Sequence, residues 1–292
     1  MEKQTQWNDQ KLGIIYITAS AFCFALMNLF IRLAGDVPTL QKCFFRNFFA
    51  LIIAVSALIR TKTSFKVGEG NLKYLFIRSL SGALGMVLNF YAIDHMNISD
   101  ASILNKLSPF FAIIFSIFVM KEVADRYEWA AVIAAFIGAL FVVKPSFNAE
   151  VIPAVAGVLG GLGAGLAYAY VRKLGSRGEK SMIIVAFFSG FTTLFLLPNL
   201  VLHYSPMSGM QWMFLVLTGM AAAGGQIFIT NAYTKAPAKE ISVFDYSIVI
   251  FTAVFGFMFL DQIPDVLSVI GYVIIIGTAI IKWHYARKIS EA

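Results

Sequence analysis

Four charged side chains stand out within apolar stretches of this sequence, where a charge is costly. They are Arg46, Arg78, Lys106 and Asp245. A charged residue at the centre of a membrane helix costs about 2.5–3.5 kcal/mol on insertion scales, so such residues usually pair with each other or face a cavity. Lys106 and Asp245 could bind a charged solute, or a salt bridge from Lys106 or Arg78 to Asp245 could only neutralise charge. Arg46 and Arg78 lie within two turns of predicted helix ends, so extension to the lipid headgroups or, for Arg78, a structural pair explains them equally well.

Other reactive groups are missing from the positions where they could act. His95 and His203 fall at predicted helix ends and His284 follows the last helix, which argues against a metal centre or a histidine proton relay. Cys23 and Cys43 lie in apolar runs and are interpreted as buried thiols without a disulfide. The sequence has no Gly-Lys-Ser/Thr phosphate loop, no Gly-x-Ser-x-Gly elbow and no His-Glu-x-x-His motif. We therefore predict no enzyme activity, no catalytic residue, no metal and no cofactor.

The composition indicates that lipid surrounds most of the chain. Hydrophobic residues make up 59% of the 292 residues and charged residues only 13%, against about 25% charged residues in soluble domains. Apolar runs of about 20 residues, long enough to span a bilayer, follow one another with short breaks. Residues 1–10 are polar and show no signal-peptide pattern, so we expect the first helix to be retained. Ten helices are predicted, at 12–34, 41–59, 72–93, 101–120, 127–143, 152–172, 181–201, 211–233, 241–260 and 265–283.

The basic residues predict the orientation of the chain. Cytoplasmic loops of membrane proteins hold an excess of Lys and Arg. One side of the predicted bundle holds most of these residues, whereas the other holds only Arg32, Lys42 and Lys144. We therefore expect the chain in the plasma (inner) membrane with both termini in the cytoplasm. The formal charge of +7 is spread over the loops rather than gathered on one face, so no nucleic-acid partner is expected.

The sequence contains an internal repeat of five helices. A shift of 140 positions overlays the third to fifth helices on the eighth to tenth and brings Gly85 onto Gly225, and a shift of 144 aligns the first helix with the sixth. Because five is odd, the second copy must enter the bilayer upside down. We predict an all-α membrane protein of ten transmembrane helices, arranged as two inverted five-helix repeats over residues 12–143 and 152–283. Such repeats place a solute site near the midplane where the halves meet.

The repeat puts polar residues at matching depths in both halves. Asn105 corresponds to Asp245, and Lys106 corresponds to Tyr246. Further donors and acceptors lie on the third and eighth helices, where each alone could be an interhelical hydrogen bond. Asp245 is the only carboxylate beyond the first two residues of a predicted helix, and so the only one at that depth that could carry a proton. Together these positions predict a substrate-binding site formed by Arg78, Asn89, Tyr91, Asn105, Lys106, Gln226, Asn231, Tyr233, Asp245 and Tyr246.

Small residues recur at the spacing of one helical turn. Gly157, Gly161 and Gly165 share a face of the sixth helix, and Ser81 and Gly85 share a face of the third. Small residues at this spacing let helix backbones approach closely in a membrane. We interpret them as packing seams, which in a transporter also permit the halves to rock.

Several short motifs within this layout are typical of one family. They are Phe44-Phe-Arg-Asn47, Arg78-Ser-Leu-Ser-Gly82, Asn89-Phe-Tyr-Ala-Ile93, Ser108-Pro109, Lys121-Glu122 and Tyr168-Ala-Tyr-Val-Arg172. With these motifs and its five-plus-five repeat, the chain resembles the EamA-type branch of the drug/metabolite transporter superfamily over nearly its whole length. The second half departs from the usual pattern at Ile248-Val249, where Ser/Glu-Pro is common, and at Asp261-Gln262, where Gly-Glu is common. These departures concern the local helix shape.

The resemblance implies a basket of ten helices around a central cavity. The third, fourth, eighth and ninth helices would line most of it, with contributions from the first and sixth. Members of the family move amino acids, organic cations, organic anions and nucleotide-linked or other metabolites. Here two cations, Arg78 and Lys106, against one carboxylate, Asp245, favour a solute with a carboxylate or phosphate. We predict a secondary transporter that moves a small polar organic metabolite, an amino acid or organic carboxylate-like solute, across the inner membrane by alternating access.

Other functions remain open at this point. An integral membrane enzyme for a lipid-linked substrate would need a carboxylate pair or a His/Asp cluster at one interface, and the sequence offers neither. A passive channel would need a continuous polar pore or a ring of like charges. An organic-cation or drug exporter of the same fold is the third alternative. Protons are a possible coupling ion, and the sequence does not set the oligomeric state.

Overall fold

Ten helical spans, joined by short connections, make up the computed structural model. The structure describes residues 2–62, 66–121, 126–144, 151–235 and 242–291. In chain order the spans are Glu2–Leu33, Thr39–Arg60, Leu72–His95, Ile98–Asn105 continued by Ser108–Val119, Arg126–Val143, Val151–Ser176, Ser181–Leu202, Gly209–Lys235, Ser242–Tyr246 continued by Ser247–Leu260, and Val266–Glu291. All ten are long and apolar enough to cross a membrane. The prediction of an all-α membrane protein with ten spans is confirmed.

The outer surface of the bundle is apolar, as a lipid-facing surface must be. Large side chains such as Phe118, Ile133 and Ile281 are exposed there. Helices satisfy their own backbone hydrogen bonds, which is why apolar sequences adopt them in a bilayer. The first helix begins at Glu2 and the last ends at Glu291, both outside the predicted 12–34 and 265–283. Apolar runs mark only the part of a helix that lies in lipid, and polar ends extend beyond it.

The packing between spans has the symmetry of an inverted repeat. The third span packs most extensively on the sixth, and its counterpart, the eighth, packs on the first. The fourth packs on the sixth, as the ninth packs on the first. The second and seventh pair with each other across the halves, and so do the fifth and tenth. If each span is replaced by the span five places along the chain, the same pairings result. This symmetry confirms the two inverted five-helix repeats. The boundaries at residues 143 and 152 stay a prediction.

Glycine seams bring the third, fourth and sixth spans into backbone contact. A Cβ atom added at Gly163 would lie 2.7 Å from the Cα of Gly85, and one at Gly161 would lie 2.8 Å from the carbonyl oxygen of Leu104. One at Gly165 would lie 2.5 Å from the Cβ of Phe111. Each distance is too short for a side chain, so these positions require glycine. The seam interpretation of the sixth helix is therefore confirmed, and the seam fixes the middle of the fourth span.

The fourth and ninth spans are broken at equivalent points, which corrects the continuous helices predicted at 101–120 and 241–260. The fourth span stops at Asn105 and resumes at Ser108. Pro109 causes this break, because it lacks an N–H for the carbonyl of Asn105 and its ring clashes with that carbonyl. In the ninth span a 3₁₀ turn from Ser242 to Tyr246 passes into an α-helix at Ser247.

The ninth span breaks without a proline. Val249 stands where Pro109 stands in the first half. The hydroxyl of Ser247 donates to the carbonyl oxygen of Phe244 at 2.7 Å, a side-chain bond that competes with the helical pattern. The departure from the family pattern at Ile248-Val249 therefore leaves the break in place.

Candidate functional site

A cavity of about 170 Å³ lies between the two halves, at the level of the two breaks. Residues from the first, second, third, fourth, sixth, seventh, eighth and ninth spans line it. The second and seventh spans therefore join the six that the family resemblance implies. A narrow apolar cleft of about 40 Å³ continues from the cavity between the second, seventh and eighth spans. Its walls include Ala57 and Met182, so the cleft points towards the bundle end where the second span finishes and the seventh begins.

An ion pair joins the two breaks across the cavity. The Nζ of Lys106 donates to Oδ2 of Asp245, and the two side chains are only 13% and 18% exposed. The hydroxyl of Tyr246 donates to the carbonyl oxygen of Lys106 at 3.1 Å, and so binds a backbone group that the break has freed. The other carboxylate oxygen of Asp245, Oδ1, is buried without a hydrogen-bond partner among the described residues. Arg78 forms no salt bridge with Asp245, so Lys106 alone is the ion-pair partner in the described part of the chain.

Two arginines share one aromatic ring on the other side of the cavity. The guanidinium carbon of Arg78 lies 3.9 Å from the centroid of the Phe188 ring, and that of Arg46 lies 5.9 Å from it. Nη1 of Arg46 donates to the side-chain oxygen of Asn47 at 3.0 Å. Arg46 is 7% exposed and lines the cavity, so it does not extend to the surface of the bundle.

Amide groups add hydrogen-bond acceptors to the lining of the cavity. Nδ2 of Asn28 donates to the hydroxyl of Ser102 at 3.0 Å. Oδ1 of Asn28 and Oδ1 of Asn89 are buried without a partner within the described ranges. Buried polar groups are normally hydrogen-bonded, and each one left unpaired costs about 1–3 kcal/mol. Unpaired acceptors that line a cavity are the groups that a polar solute or water can satisfy.

Opposite ends of the bundle are closed by related contacts, which we call the Glu179 latch and the Gln41 latch. The Glu179 latch joins the second connection to the sixth. Oε2 of Glu179 accepts from the backbone N–H of Gly68 at 3.0 Å and from Nδ2 of Asn71 at 2.9 Å. Oδ1 of Asn71 in turn accepts from Nε of Arg177 at 2.6 Å.

The Gln41 latch closes the other end, between the first and seventh connections. Gln41 and the backbone of Ser205 exchange two hydrogen bonds, at 2.9 and 3.0 Å. Nε2 of Gln211 donates to the carbonyl oxygen of Ala34 at 3.2 Å. Gln211 and Asn71 correspond under the shift of 140, so the same position closes either end.

A family model for the EamA-like transporter family matches residues 11–144 and again residues 152–282. The two matches cover most of the chain. The chain belongs to the EamA-like transporter family. Two copies of the family unit account for the inverted five-helix halves of this EamA-like transporter.

Relatives of this EamA-like transporter span nearly the whole chain. The pseudopaline exporter of Pseudomonas aeruginosa is 30% identical over 92% of this chain and 95% of its own length. Human solute carrier family 35 member G1 is 27% identical over 95% of this chain and 81% of its own length. A solved crystal structure matches 93% of this chain and 98% of its own, with a TM-score of 0.64 and 16% identity, and so shares the fold. The chain is thus a membrane transporter for a small molecule and not an enzyme.

Most of the predicted site residues lie at the cavity. Those that line it are Arg78, Asn89, Asn105, Lys106, Gln226 and Asp245. Tyr246 is buried behind Lys106. Tyr91 stacks on His95, with ring centroids 4.2 Å apart, near the end of the third span. The side chain of Asn231 is exposed and outside the cavity wall, and that of Tyr233 lies outside the described residues.

Several residues that line the cavity are absent from the predicted site. Asn28, Ser102, Tyr168 and Phe188 line the cavity, as does Arg46. Asn28 could have been found, because it is a polar residue in the middle of the first apolar run. Phe188 carries no such signal, since the chain has 28 phenylalanines.

Two carboxylates lie within helices that the sequence analysis had assigned to connections. Asp94 belongs to the third span and forms an ion pair of 2.6 Å with Lys42. Asp100 belongs to the fourth span, where the hydroxyl of Tyr272 donates to its Oδ1 at 2.5 Å. The prediction that Asp245 is the only carboxylate within a helix is therefore wrong. The predicted helix limits of 93 and 101 excluded these residues by one position each.

Proposed function

We propose that this EamA-like transporter carries a small polar organic solute with a carboxylate group, an amino acid or organic carboxylate-like metabolite, through the central cavity. The observation behind this is the charge of the wall. Among the described lining residues, Arg46, Arg78 and Lys106 are cationic and only Asp245 is anionic. A cavity with a cationic excess in a low-dielectric bundle attracts anionic groups and repels simple organic cations.

The Lys106–Asp245 pair gives the solute a place to bind at the midplane. Asp245 uses one oxygen for Lys106 and has the other unpaired within the described chain. A solute amine can bind that free oxygen, and a solute carboxylate can share the ammonium of Lys106. Broken helices at this depth are typical of solute sites in transporters with inverted repeats.

The two latches support alternating access. Each of them holds together connections that must separate before the cavity can open at that end. The Glu179 latch depends on hydrogen bonds to a carboxylate, whereas the Gln41 latch depends on neutral amides. Opening one latch while the other holds exposes the cavity to one side at a time, and the symmetry of the halves makes the two openings equivalent movements.

The proposed setting is the plasma (inner) membrane with both termini in the cytoplasm. The predicted connections at Lys66, Arg126, Arg177 and Lys239 then face the cytoplasm, in agreement with the excess of basic residues expected there. Lys239 lies outside the described residues. The Glu179 latch would be the cytoplasmic gate. Coupling to protons is proposed through Asp245, whose carboxylate lies within the transport path.

Uptake into proteoliposomes tests this function. The purified protein is given labelled amino acids, carboxylates and organic cations, each with and without a pH gradient, and empty liposomes serve as the control. We expect saturable uptake of solutes that carry a carboxylate. Saturable uptake of organic cations alone would contradict the proposed solute class and favour a cation exporter.

A further inference from the structure

Arg46 and Arg78 differ from the paired lysines of the helical bundle. Lys42, Lys106 and Lys144 each have a carboxylate within salt-bridge distance. Arg46 and Arg78 have none among the described residues, although both line the central cavity. Two positive charges at one wall are therefore without a counter-charge in the part of the chain that the structure describes.

Both guanidinium groups have donors that no described residue satisfies. Nε of Arg46, and Nε and Nη1 of Arg78, are buried without a hydrogen-bond partner in the described part of the chain. A buried cation that lacks a partner is expensive, and each unpaired donor adds to the cost. Within the described chain nothing offsets this cost, which favours a partner that the solute supplies.

The ring of Phe188 contacts both guanidinium groups without neutralising their charge. It packs on the guanidinium of Arg78 at 3.9 Å and lies 5.9 Å from that of Arg46. A cation over an aromatic face is stabilised by the ring but keeps its full charge. Arg46 and Phe188 are each the eighth residue of their helices, Thr39–Arg60 and Ser181–Leu202. The seventh span packs on both the second and the third span, and these two contacts hold the two guanidinium groups on one ring.

We infer that the transported solute presents two negative charges to Arg46 and Arg78 across the Phe188 ring, either as two carboxylates or as one phosphate group. The inference rests on the proposed function for transport through the central cavity and specifies the charge of the solute; its phosphate form goes beyond the carboxylate solutes proposed above. Lys106 is not counted, because Asp245 already neutralises it. Two guanidinium forks match the oxygen pairs of carboxylates and phosphates, which an ammonium group cannot do. A monocarboxylate would neutralise only one of the two arginines.

Matched solutes test the inference in proteoliposomes. Glutamate and glutamine differ by one carboxylate, as do succinate and succinamate. A comparison of glycerol 3-phosphate with glycerol tests whether one phosphate group can supply both charges. We expect the wild-type protein to prefer the doubly anionic member of at least one pair by about tenfold or more, since a hydrogen bond to a charged group contributes about 1.5–3 kcal/mol. Equal transport of glutamate and glutamine, with equal results in the other pairs, would overturn the inference.

Arginine variants show whether these two residues set the preference. Arg46→Gln and Arg78→Gln should each abolish the preference for the doubly anionic solute, whereas Arg78→Lys should keep part of it. Arg32→Gln is the control, because Arg32 donates to the carbonyl oxygen of Ile93 and lies outside the central cavity. A preference that survives in both Gln variants would contradict the assignment. If a Gln variant is not monodisperse, the Lys variant at the same position replaces it, and we expect only part of the preference to remain; a full preference would contradict the assignment.

The outcomes separate this inference from the proposed function. Transport of monocarboxylates and dicarboxylates at equal rates would refute the two-charge requirement and leave a carboxylate transporter. Transport of cations alone would refute both.

Discussion

Removing the central ion pair separates a transport site from a structural contact. The three variants are Lys106→Met, Asp245→Leu and the double variant. Lys106 and Asp245 are 13% and 18% exposed, and they join the two halves at their helix breaks. If the pair binds solute, both residues are needed for transport. If it is only structural, the double variant should transport as the wild type does.

The structure gives the size of the stability change. In Lys106→Met, Oδ2 of Asp245 loses its donor while Oδ1 already lacks one among the described residues. Removing one partner of a buried pair costs about 3–5 kcal/mol, because the remaining charge is uncompensated. Replacing both partners by apolar residues of similar size is often neutral or stabilising by about 1–4 kcal/mol. The single variants should therefore be less stable than the double variant.

A second ion pair provides the matched control. Lys144 and Asp265 also join the two halves, but their side chains are 34% and 56% exposed. Partial burial opposes ionisation of Asp265, yet hydrogen bonds from Lys144 and from the N–H of Ser268 hold the pKa of its carboxyl below the ordinary value. Exposed pairs contribute about 0–1 kcal/mol. Lys144→Met with Asp265→Leu should leave both stability and transport nearly unchanged.

Thermal unfolding in detergent and solute uptake in proteoliposomes are measured on the same preparations. We expect the Lys106→Met and Asp245→Leu double variant to be stable and monodisperse but inactive, and the control double variant to be stable and active. Normal uptake by the central double variant would refute the site. Equal instability of the single and double variants would refute the energetic reasoning.

Three further predictions concern coupling, packing and orientation. Asp245→Asn cannot carry a proton, so a still-active variant should lose its dependence on the pH gradient, and an unchanged dependence would exclude Asp245 as the proton carrier. Gly85→Ala should destabilise the protein by about 1–3 kcal/mol in thermal unfolding, because the added Cβ would lie 2.9 Å from backbone atoms of the sixth span. Gly277→Ala is the control: its Cβ would have no atom within 4 Å, so this variant should be as stable as the wild type. Single cysteines at Lys66 and Arg177, in a cysteine-free background, should resist impermeant thiol reagents applied from outside, and strong external labelling would reverse the orientation.

The sequence was sufficient to predict the spans and the repeat. Each span is an apolar run of bilayer length, and this signal depends on about 20 residues rather than on one. The helix breaks depend on single residues and were missed. Pro109 could have indicated the first break, because a proline interrupts the hydrogen bond of the residue four positions earlier. The second break has no proline, and no simple sequence pattern marks its 3₁₀ turn.

The site was predicted only in part, because the direction in which a side chain points depends on how the helices pack. Lys106 and Asp245 could be found because a charge within a membrane helix needs an explanation. The role of Arg46 could not, because depth along a helix does not tell which neighbour a side chain faces. Tyr91 has suitable depth and chemistry, yet it stacks on His95. Phe188 joins the site only because the second and seventh spans pack together, which is a fact of tertiary structure.

Counterflow in proteoliposomes tests the central claim most directly. Vesicles that contain the protein are loaded with an unlabelled carboxylate solute and diluted into a trace of the same solute with a label. A carrier that opens to one side at a time must exchange the two, so we predict a transient accumulation of label with the wild-type protein and none with the variant that combines Lys106→Met and Asp245→Leu. Flux without accumulation in the wild type, or full accumulation in the variant, would contradict alternating access through this cavity.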